Sequence, residues 1–365
     1  MGLQCGIIGI TNTGKTTIFN CMSDTKGETT NFAFSANKSN IGIVNVPDPR
    51  LYELAKLQPA EKIVPATVEI VDIPGLTKGA NKGEGVGNTF LSDIRNTDAL
   101  IHVLRCFDDD NLPHIEGSID PVRDMETVDI ELQVKDLESV EKKIQRLEKN
   151  AKSGDKEAKR GIEVLQQCKA RLENFEPVRA FQIPENEKCF LDDLFLLSAK
   201  PVIYVCNVEE ASAVNGNKYV EQVKQALSEE NSEVLMIAAD LEAQIADLED
   251  ESERMEFLQA SGLSEPGVNR VIRSAYSLLN LISFFTIGPK EDRAWTIKNG
   301  SNAKEAAGAI HSDLERGFIR AEVIKYKDFI SLGSEQACKE KGKMKIEGKN
   351  YIVQDGDLMH IRFNV

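Results

Sequence analysis

The stretch Gly9-Ile10-Thr11-Asn12-Thr13-Gly14-Lys15-Thr16 has the spacing G-x-x-x-x-G-K-[ST], and those residue types at that spacing grip phosphate. Its glycines let consecutive backbone N–H groups, from Asn12 and Thr13 through Gly14 to Thr17, curl round phosphate oxygens where a helix begins. Lys15 adds a point charge at the β- and γ-phosphates, and the Thr16 hydroxyl is a ligand for Mg²⁺. A second group lies downstream. Asp72-Ile73-Pro74-Gly75 closes another apolar run, where a carboxylate can hold a Mg²⁺-bound water and the Gly75 N–H can meet a γ-phosphate. Taken alone D-x-x-G is an ordinary turn; following a phosphate loop, at a strand end, it becomes half of a nucleotide site. The run after it, residues 76–87, carries four glycines and suits a switch that orders around the γ-phosphate.

These groups need a scaffold that delivers them to one edge. Short apolar runs at residues 5–8, 66–71, 99–104, 201–206 and 233–237 alternate with amphipathic stretches, the pattern of a parallel sheet wrapped by helices. Between the third and fourth runs the rhythm changes. Ile130, Val134, Leu137, Val140, Ile144, Leu147 and Ala151 recur every three or four residues, as do Ala158, Ile162, Leu165, Cys168, Leu172 and Phe175. Ser153-Gly154-Asp155 separates the two series, which predicts an antiparallel helical hairpin with one apolar seam per arm. A third region starts near Leu281, with strands expected at 284–287, 294–297, 351–353 and 359–363 and a helix at 302–310. The predicted organisation is a discontinuous nucleotide domain (1–120 and 195–280), an inserted hairpin (121–194) and a compact α+β module (281–365).

Composition narrows the function. Among 365 residues, 44 Lys and Arg against 59 Asp and Glu leave a formal charge of −15, which disfavours coating nucleic acid by bulk attraction. The third region differs, with 14 basic against 12 acidic residues and a cluster at Lys339, Lys341, Lys343, Lys345 and Lys349, a candidate docking face for RNA or an acidic partner. Seven scattered cysteines without a C-x-x-C pair argue against a zinc site or disulfide framework and for a reducing cytosol. No run reaches the roughly 18–20 apolar residues of a membrane helix, and the N-terminus does not read as a secretory signal, so no membrane role is expected.

The chain as a whole closely resembles the YchF group of Obg-related P-loop NTPases. The likeness is carried by the phosphate loop, Lys78-Gly79-Ala80-Asn81-Lys82-Gly83-Glu84-Gly85, Val103-Leu104-Arg105-Cys106-Phe107, Arg293-Ala294-Trp295-Thr296-Ile297, residues 316–323 and the terminal Val353-Gln354-Asp355-Gly356-Asp357. It implies an α/β Ras-like P-loop domain, an inserted α-helical coiled-coil hairpin and a C-terminal β-grasp (TGS) domain. It further implies a cytoplasmic, ribosome-associated protein that hydrolyses ATP in preference to GTP; nothing demands a dimer.

Where guanine-specific relatives carry N-K-x-D, this chain has Asn207-Val208-Glu209-Glu210. The Asp that accepts from guanine N1–H and the 2-amino group is replaced by a longer Glu210, which forfeits a bidentate match. The resemblance places adenine reading on the backbone of Asn207 and Val208. For hydrolysis, Leu76 stands where Ras-type enzymes carry a water-orienting Gln. The family suggests instead a histidine after the third strand, which falls on His114, a residue type able to position water. One departure is notable: Phe34-Ser35-Ala36 replaces a Phe-Cys-Thr segment whose Thr can reach Mg²⁺. Binding of nucleotide is therefore expected to persist while turnover is slow or dependent on an effector. A GTPase of the same build and a nucleotide-sensing scaffold with negligible hydrolysis are the alternatives.

Overall fold

The computed structural model describes residues 3–23, 39–75, 86–230 and 232–364. The first stretch holds β1 (Gln4–Ile8) and α1 (Lys15–Ser23). Next come β2 (Asn40–Asn45), α2 (Pro49–Leu57), β3 (Lys62–Val64), β4 (Thr67–Asp72), α3 (Val86–Arg95) and β5 (Ala99–Arg105). Two long helices follow, α4 (Pro121–Ala151) and α5 (Lys156–Glu173), then the single turn α6 (Glu185–Lys188) and β6 (Val202–Asn207). The middle of the chain closes with α7 (Lys218–Ala226), β7 (Val234–Ile237), α8 (Ala239–Asp247), α9 (Glu251–Ala260) and α10 (Gly267–Leu278). The last stretch has β8 (Leu281–Thr286), β9 (Glu291–Lys298), α11 (Ala303–Ile310), β10 (Phe318–Lys325), β11 (Lys345–Glu347) and β12 (Asp357–Phe363), with short helices between them.

The chain divides into two compact units, residues 1–42 with 69–271, and residues 43–68 with 272–365. The first is built on a six-stranded sheet of order β2-β4-β1-β5-β6-β7, with β1 parallel to both β4 and β5, and β5, β6 and β7 parallel in turn. All seven residues of β5 and all six of β6 are buried, which is why both read as largely apolar runs. Because the strands are parallel, their C-terminal ends share one edge. Ile7 sits opposite Asp72, and Arg105 opposite Asn207, so that edge collects the chemistry-bearing residues.

The helical hairpin forms as expected, with Asp120 capping α4 and Asp155 capping α5 through their side chains. Its seam is corrected at two places. Ile130 is exposed, and the first half of α4 instead buries Met125, Val128, Leu132 and Asp136, a stripe of near four-residue steps that packs in the core of the sheet rather than on α5. Phe175 is also exposed; it follows α5 at φ 58°, where the chain has already turned away from the seam. Val140, Ile144, Leu165, Cys168 and Leu172 form the hairpin's own core.

The second unit carries a mixed sheet of order β11-β10-β12-β8-β9-β3. It holds the expected strands and the helix α11, whose Asn302 and Glu305 make a reciprocal capping box. Two differences stand out. Residues 351–353 make one isolated bridge, Asn302 to Ile352, instead of a strand. Residues 43–68, expected within the first domain, belong here: β3 adds in parallel to β9, and Arg50 of α2 reaches Asp355 at 2.7 Å. Among the described residues no helix is long and apolar enough to cross a membrane.

Asp136 of α4 ties the hairpin to the segment before β6. Its fully buried carboxylate accepts hydrogen bonds from Leu197 N, Ser198 N and Ser198 Oγ, each at 2.7 Å. Burial raises its pKa, against the pull of those three donors. Replacing Asp136 with Ala strands two buried N–H groups and is expected to lower stability by about 3 kcal/mol. Urea unfolding followed by far-UV circular dichroism checks this; an unchanged midpoint contradicts it.

Candidate functional site

The phosphate loop joins β1 to α1, and its shape is set by two glycines. Gly9 sits at φ 146°, and a Cβ there would lie 2.5 Å from the Val103 carbonyl oxygen. Gly14 sits at φ 91°, with the Asn207 side-chain amide in the space a Cβ would take. Asn12 adopts the left-handed conformation at φ 63°, which asparagine tolerates better than most residues. Thr13 is buried, and its hydroxyl donates to the Ile10 carbonyl at 3.3 Å.

Lys15 opens α1 but its side chain folds back over the loop, where Nζ donates to the Ile10 carbonyl at 2.5 Å. Burial pushes its pKa down to about 8, with Asp72 pulling the other way. Thr16 Oγ1 donates to Asp72 Oδ2 at 2.9 Å. Asp72 closes β4, and burial raises its pKa against the Thr16 hydrogen bond and the Lys15 charge. Gly75 lies so near that a Cβ on it would sit 2.8 Å from Lys15 Nζ. Hydroxyl and carboxylate oxygens side by side form the hard donor set that Mg²⁺ prefers, so the residues present fit that ion.

On the other flank Asn207, at the end of β6, is committed to the protein. Its Nδ2 donates to the Thr13 carbonyl and its Oδ1 accepts from Ala239 N, both at 3.0 Å. Val208 is buried, and its N–H donates to the Ile237 carbonyl at 2.8 Å. Glu209 turns toward Asn217, whose Nδ2 lies 3.0 Å from Oε2, and toward the Ser212 hydroxyl. Burial pushes Glu209 up, but these hydrogen bonds prevail and hold it below the usual carboxylate value. Glu210 is exposed and opens a short turn, Glu210–Ser212, that ends on the buried Ser212.

The loop after β5 leans on this edge. Asn12 Nδ2 donates to the Pro113 carbonyl at 3.1 Å, which puts His114 one residue from the phosphate loop. Both ring nitrogens of His114 are engaged: Nε2 lies 2.8 Å from Asp124 Oδ2, and Nδ1 accepts from Glu116 N at 3.1 Å. Thus Asn12, Thr13, Gly14, Lys15, Thr16, Thr17, Asp72, Gly75, Asn207 and Val208 gather at one edge of the sheet, and His114 is stowed beside it. Ser35, Ala36, Leu76 and most of the glycine-rich run lie outside the described residues. One partner was not legible as functional: Asp124, which reads only as a first-turn acid of α4; Ala238-Ala239 stands where relatives carry a base-supporting Ser-Ala motif, but the bond from Ala239 N–H to Asn207 is one that no side chain reports.

The chain matches known proteins over its whole length. A family model described as "50S ribosome-binding GTPase" covers residues 4–160, and one described as "YchF-GTPase_C: Protein of unknown function (DUF933)" covers residues 281–364. The protein "Ribosome-binding ATPase YchF" of Escherichia coli O157:H7 is 49% identical over 365 residues, all of both chains. The chain belongs to the YchF family. The Bacillus subtilis YchF protein is 46% identical, again over all of both chains. The solved Schizosaccharomyces pombe structure titled a YchF GTPase superposes with a TM-score of 0.88 at 33% identity, covering 99% of this chain and 98% of that one. This YchF relative and the present chain therefore share one α/β P-loop NTPase fold with its C-terminal domain.

The lowered pKa of Lys15 has a consequence for binding. An anionic phosphate favours the ammonium, so a neutral Lys15 must take up a proton when the ligand enters. Affinity for ATP is expected to fall as pH rises through about 8, approaching tenfold per pH unit above it. Calorimetry in buffers of differing ionisation heat reads both the affinity and the proton uptake. Lys15→Ala should weaken binding about 10- to 100-fold at pH 7 and abolish that pH dependence.

Proposed function

We propose that this chain is a P-loop ATPase that binds ATP in preference to GTP, hydrolyses it slowly when alone, and acts as a nucleotide-dependent switch on the ribosome. The observation that carries the reading is the cradle of Lys15, Thr16, Asp72 and Gly75 at one sheet edge, in a chain matched end to end by proteins named ribosome-binding ATPases. The backbone N–H groups of Asn12 to Thr17 and the Lys15 ammonium would hold the β- and γ-phosphates, and Gly75 N–H would meet the γ-phosphate. Thr16 Oγ1 would ligate Mg²⁺ and Asp72 would hold one of its waters; the ion supplies charge neutralisation on the phosphate oxygens. In hydrolysis a water oxygen bonds to the γ-phosphorus as the bond to the β,γ-bridging oxygen breaks, releasing ADP and phosphate. His114, once freed, is the group proposed to orient that water.

Purine choice follows from which groups remain. Asn207 spends both amide functions on Thr13 and Ala239, and the Val208 N–H is spent on Ile237. That leaves the Val208 carbonyl of this pair to face the base. A carbonyl accepts from the 6-amino group of adenine and opposes the 6-oxo group of guanine. Glu209, drawn toward Asn217, and the exposed Glu210 do not restore the lost bidentate contact. The exposed lysines 339, 341, 343, 345 and 349 are the proposed contact to ribosomal RNA, in a cytoplasmic monomer.

Calorimetric titration of the purified protein with ATP and GTP, each with Mg²⁺, tests base choice: ATP should bind at least tenfold more tightly, and tighter GTP binding makes the chain a GTPase instead. Phosphate release measured with and without ribosomes tests the switch. A several-fold rise on adding ribosomes is expected, and no release in either condition leaves a nucleotide-sensing scaffold.

A further inference from the structure

The segment between β5 and α4 is held by an unusual set of contacts, and one of them sits where it can govern turnover. Arg105, almost wholly buried, donates from its guanidinium to the carbonyls of Phe107 (3.2 Å), Asp109 (3.1 Å) and Leu112 (2.8 Å). That fixes the first half of the loop as a rigid arch over its own backbone. The next residue, Pro113, accepts from Asn12 of the phosphate loop. His114 then turns inward, its side chain only 4% exposed, against the Asp124 carboxylate at 3%. Arg123 completes the knot: Nη2 donates to Asp124 Oδ1 at 3.1 Å and to the Ser118 carbonyl at 2.7 Å.

The hydrogen-bond pattern sets the state of the ring. Because Nδ1 accepts from Glu116 N–H, it carries no proton, so the proton of the neutral ring is on Nε2 and is donated to Asp124. An imidazole so placed has no nitrogen left for a water. Asp124 lies in the first turn of α4, a continuous 31-residue helix whose far half forms the hairpin with α5. A shift of that helix, about 45 Å long, displaces the Asp124 carboxylate as part of the same rigid element.

We infer that Asp124 is a positioning residue that stows His114, so that hydrolysis waits for the first turn of α4 to release the ring. This deepens the proposed function and rests on the water-orienting role proposed there for His114. Asp124 touches neither nucleotide nor water; it acts only through the histidine. A partner that loads the hairpin would thereby raise the rate without contacting the phosphates.

Steady-state ATP hydrolysis by the full-length protein separates the two layers. His114→Ala should lose at least tenfold in kcat; an unchanged kcat overturns the water-orienting role and the stowing with it. With that loss established, Asp124→Ala should raise kcat three- to tenfold while KM for ATP stays within twofold. The double variant should be as slow as His114→Ala alone. A folded Asp124→Ala whose kcat is equal to or below that of the unaltered protein overturns the stowing but leaves the role of His114 standing. Asp124→Asn, which keeps the shape, provides a second readout if the alanine variant does not fold. In ¹H–¹⁵N spectra of histidine-labelled protein, with the His114 signal assigned through His114→Gln, the Nε2–H should be protected from solvent exchange. The amide substitution should speed that exchange at least tenfold, and unchanged exchange overturns the inference.

Discussion

The phosphate loop keeps its form because two side chains are missing. At Gly9 the space a Cβ would take is closed by the Val103 carbonyl of the neighbouring strand, and at Gly14 by the Asn207 amide. Both residues also have φ values that side-chain-bearing residues rarely adopt. The loop can therefore lie tight against β5 and β6 only as it is written. That close approach brings the Thr13 carbonyl within reach of Asn207, and Asn207 in turn holds the start of α8 through Ala239. Three separate strand ends are thus tied by one amide group, and the purine side of the site inherits its geometry from the phosphate side.

Charge balance in the cradle points the same way. Lys15 and Asp72 are both forced out of water, and burial disfavours the charged form of each: the lysine pKa falls and the aspartate pKa rises. Their mutual attraction offsets only part of that cost. A triphosphate with its divalent ion supplies the missing partners, negative oxygens for the ammonium and a cation for the carboxylate. Nζ turned to the Ile10 carbonyl and Thr16 bonded to Asp72 give these groups internal partners. Such a site is poised to exchange weak internal contacts for stronger charge-assisted ones.

Much of this was legible in the sequence, and the reasons are physical. Strands buried inside a parallel sheet are largely apolar, so β1, β5 and β6 announce themselves, and the glycine spacing of the phosphate loop is a direct consequence of backbone crowding. Edge strands give weaker signals. β2 and β3 were not anticipated, because their exposed faces mix polar and apolar residues, as at Ile41 and Ile43, both more than half exposed. The three-residue β3 has too few positions to show a period, which is also why residues 43–68 were placed with the wrong unit. The hairpin was legible as two helices but not as two environments. Its first half serves the sheet, so Ile130 faces solvent while a charged residue, Asp136, occupies the buried stripe. A carboxylate at a core position reads as a fault until its three donors from residues 197 and 198 are seen.

The site was legible to the extent that side chains carry it. Lys15, Thr16, Asp72 and Asn207 could be named because their chemistry is their own. The loop over the site could not be read, because its order comes from carbonyls: Arg105 binds three of them, Asn12 a fourth and Arg123 a fifth. Any residue can supply a carbonyl, so the sequence between Phe107 and Ser118 is only weakly constrained by the contacts that hold it. Constraint concentrates instead on the donors, which sit on regular elements or at their ends: Arg105 closes β5, Asn12 lies in the phosphate loop, and Arg123 opens α4. Arg105 holds the start of the loop from β5, and the buried pair of His114 with Asp124 fastens its middle to the first turn of α4.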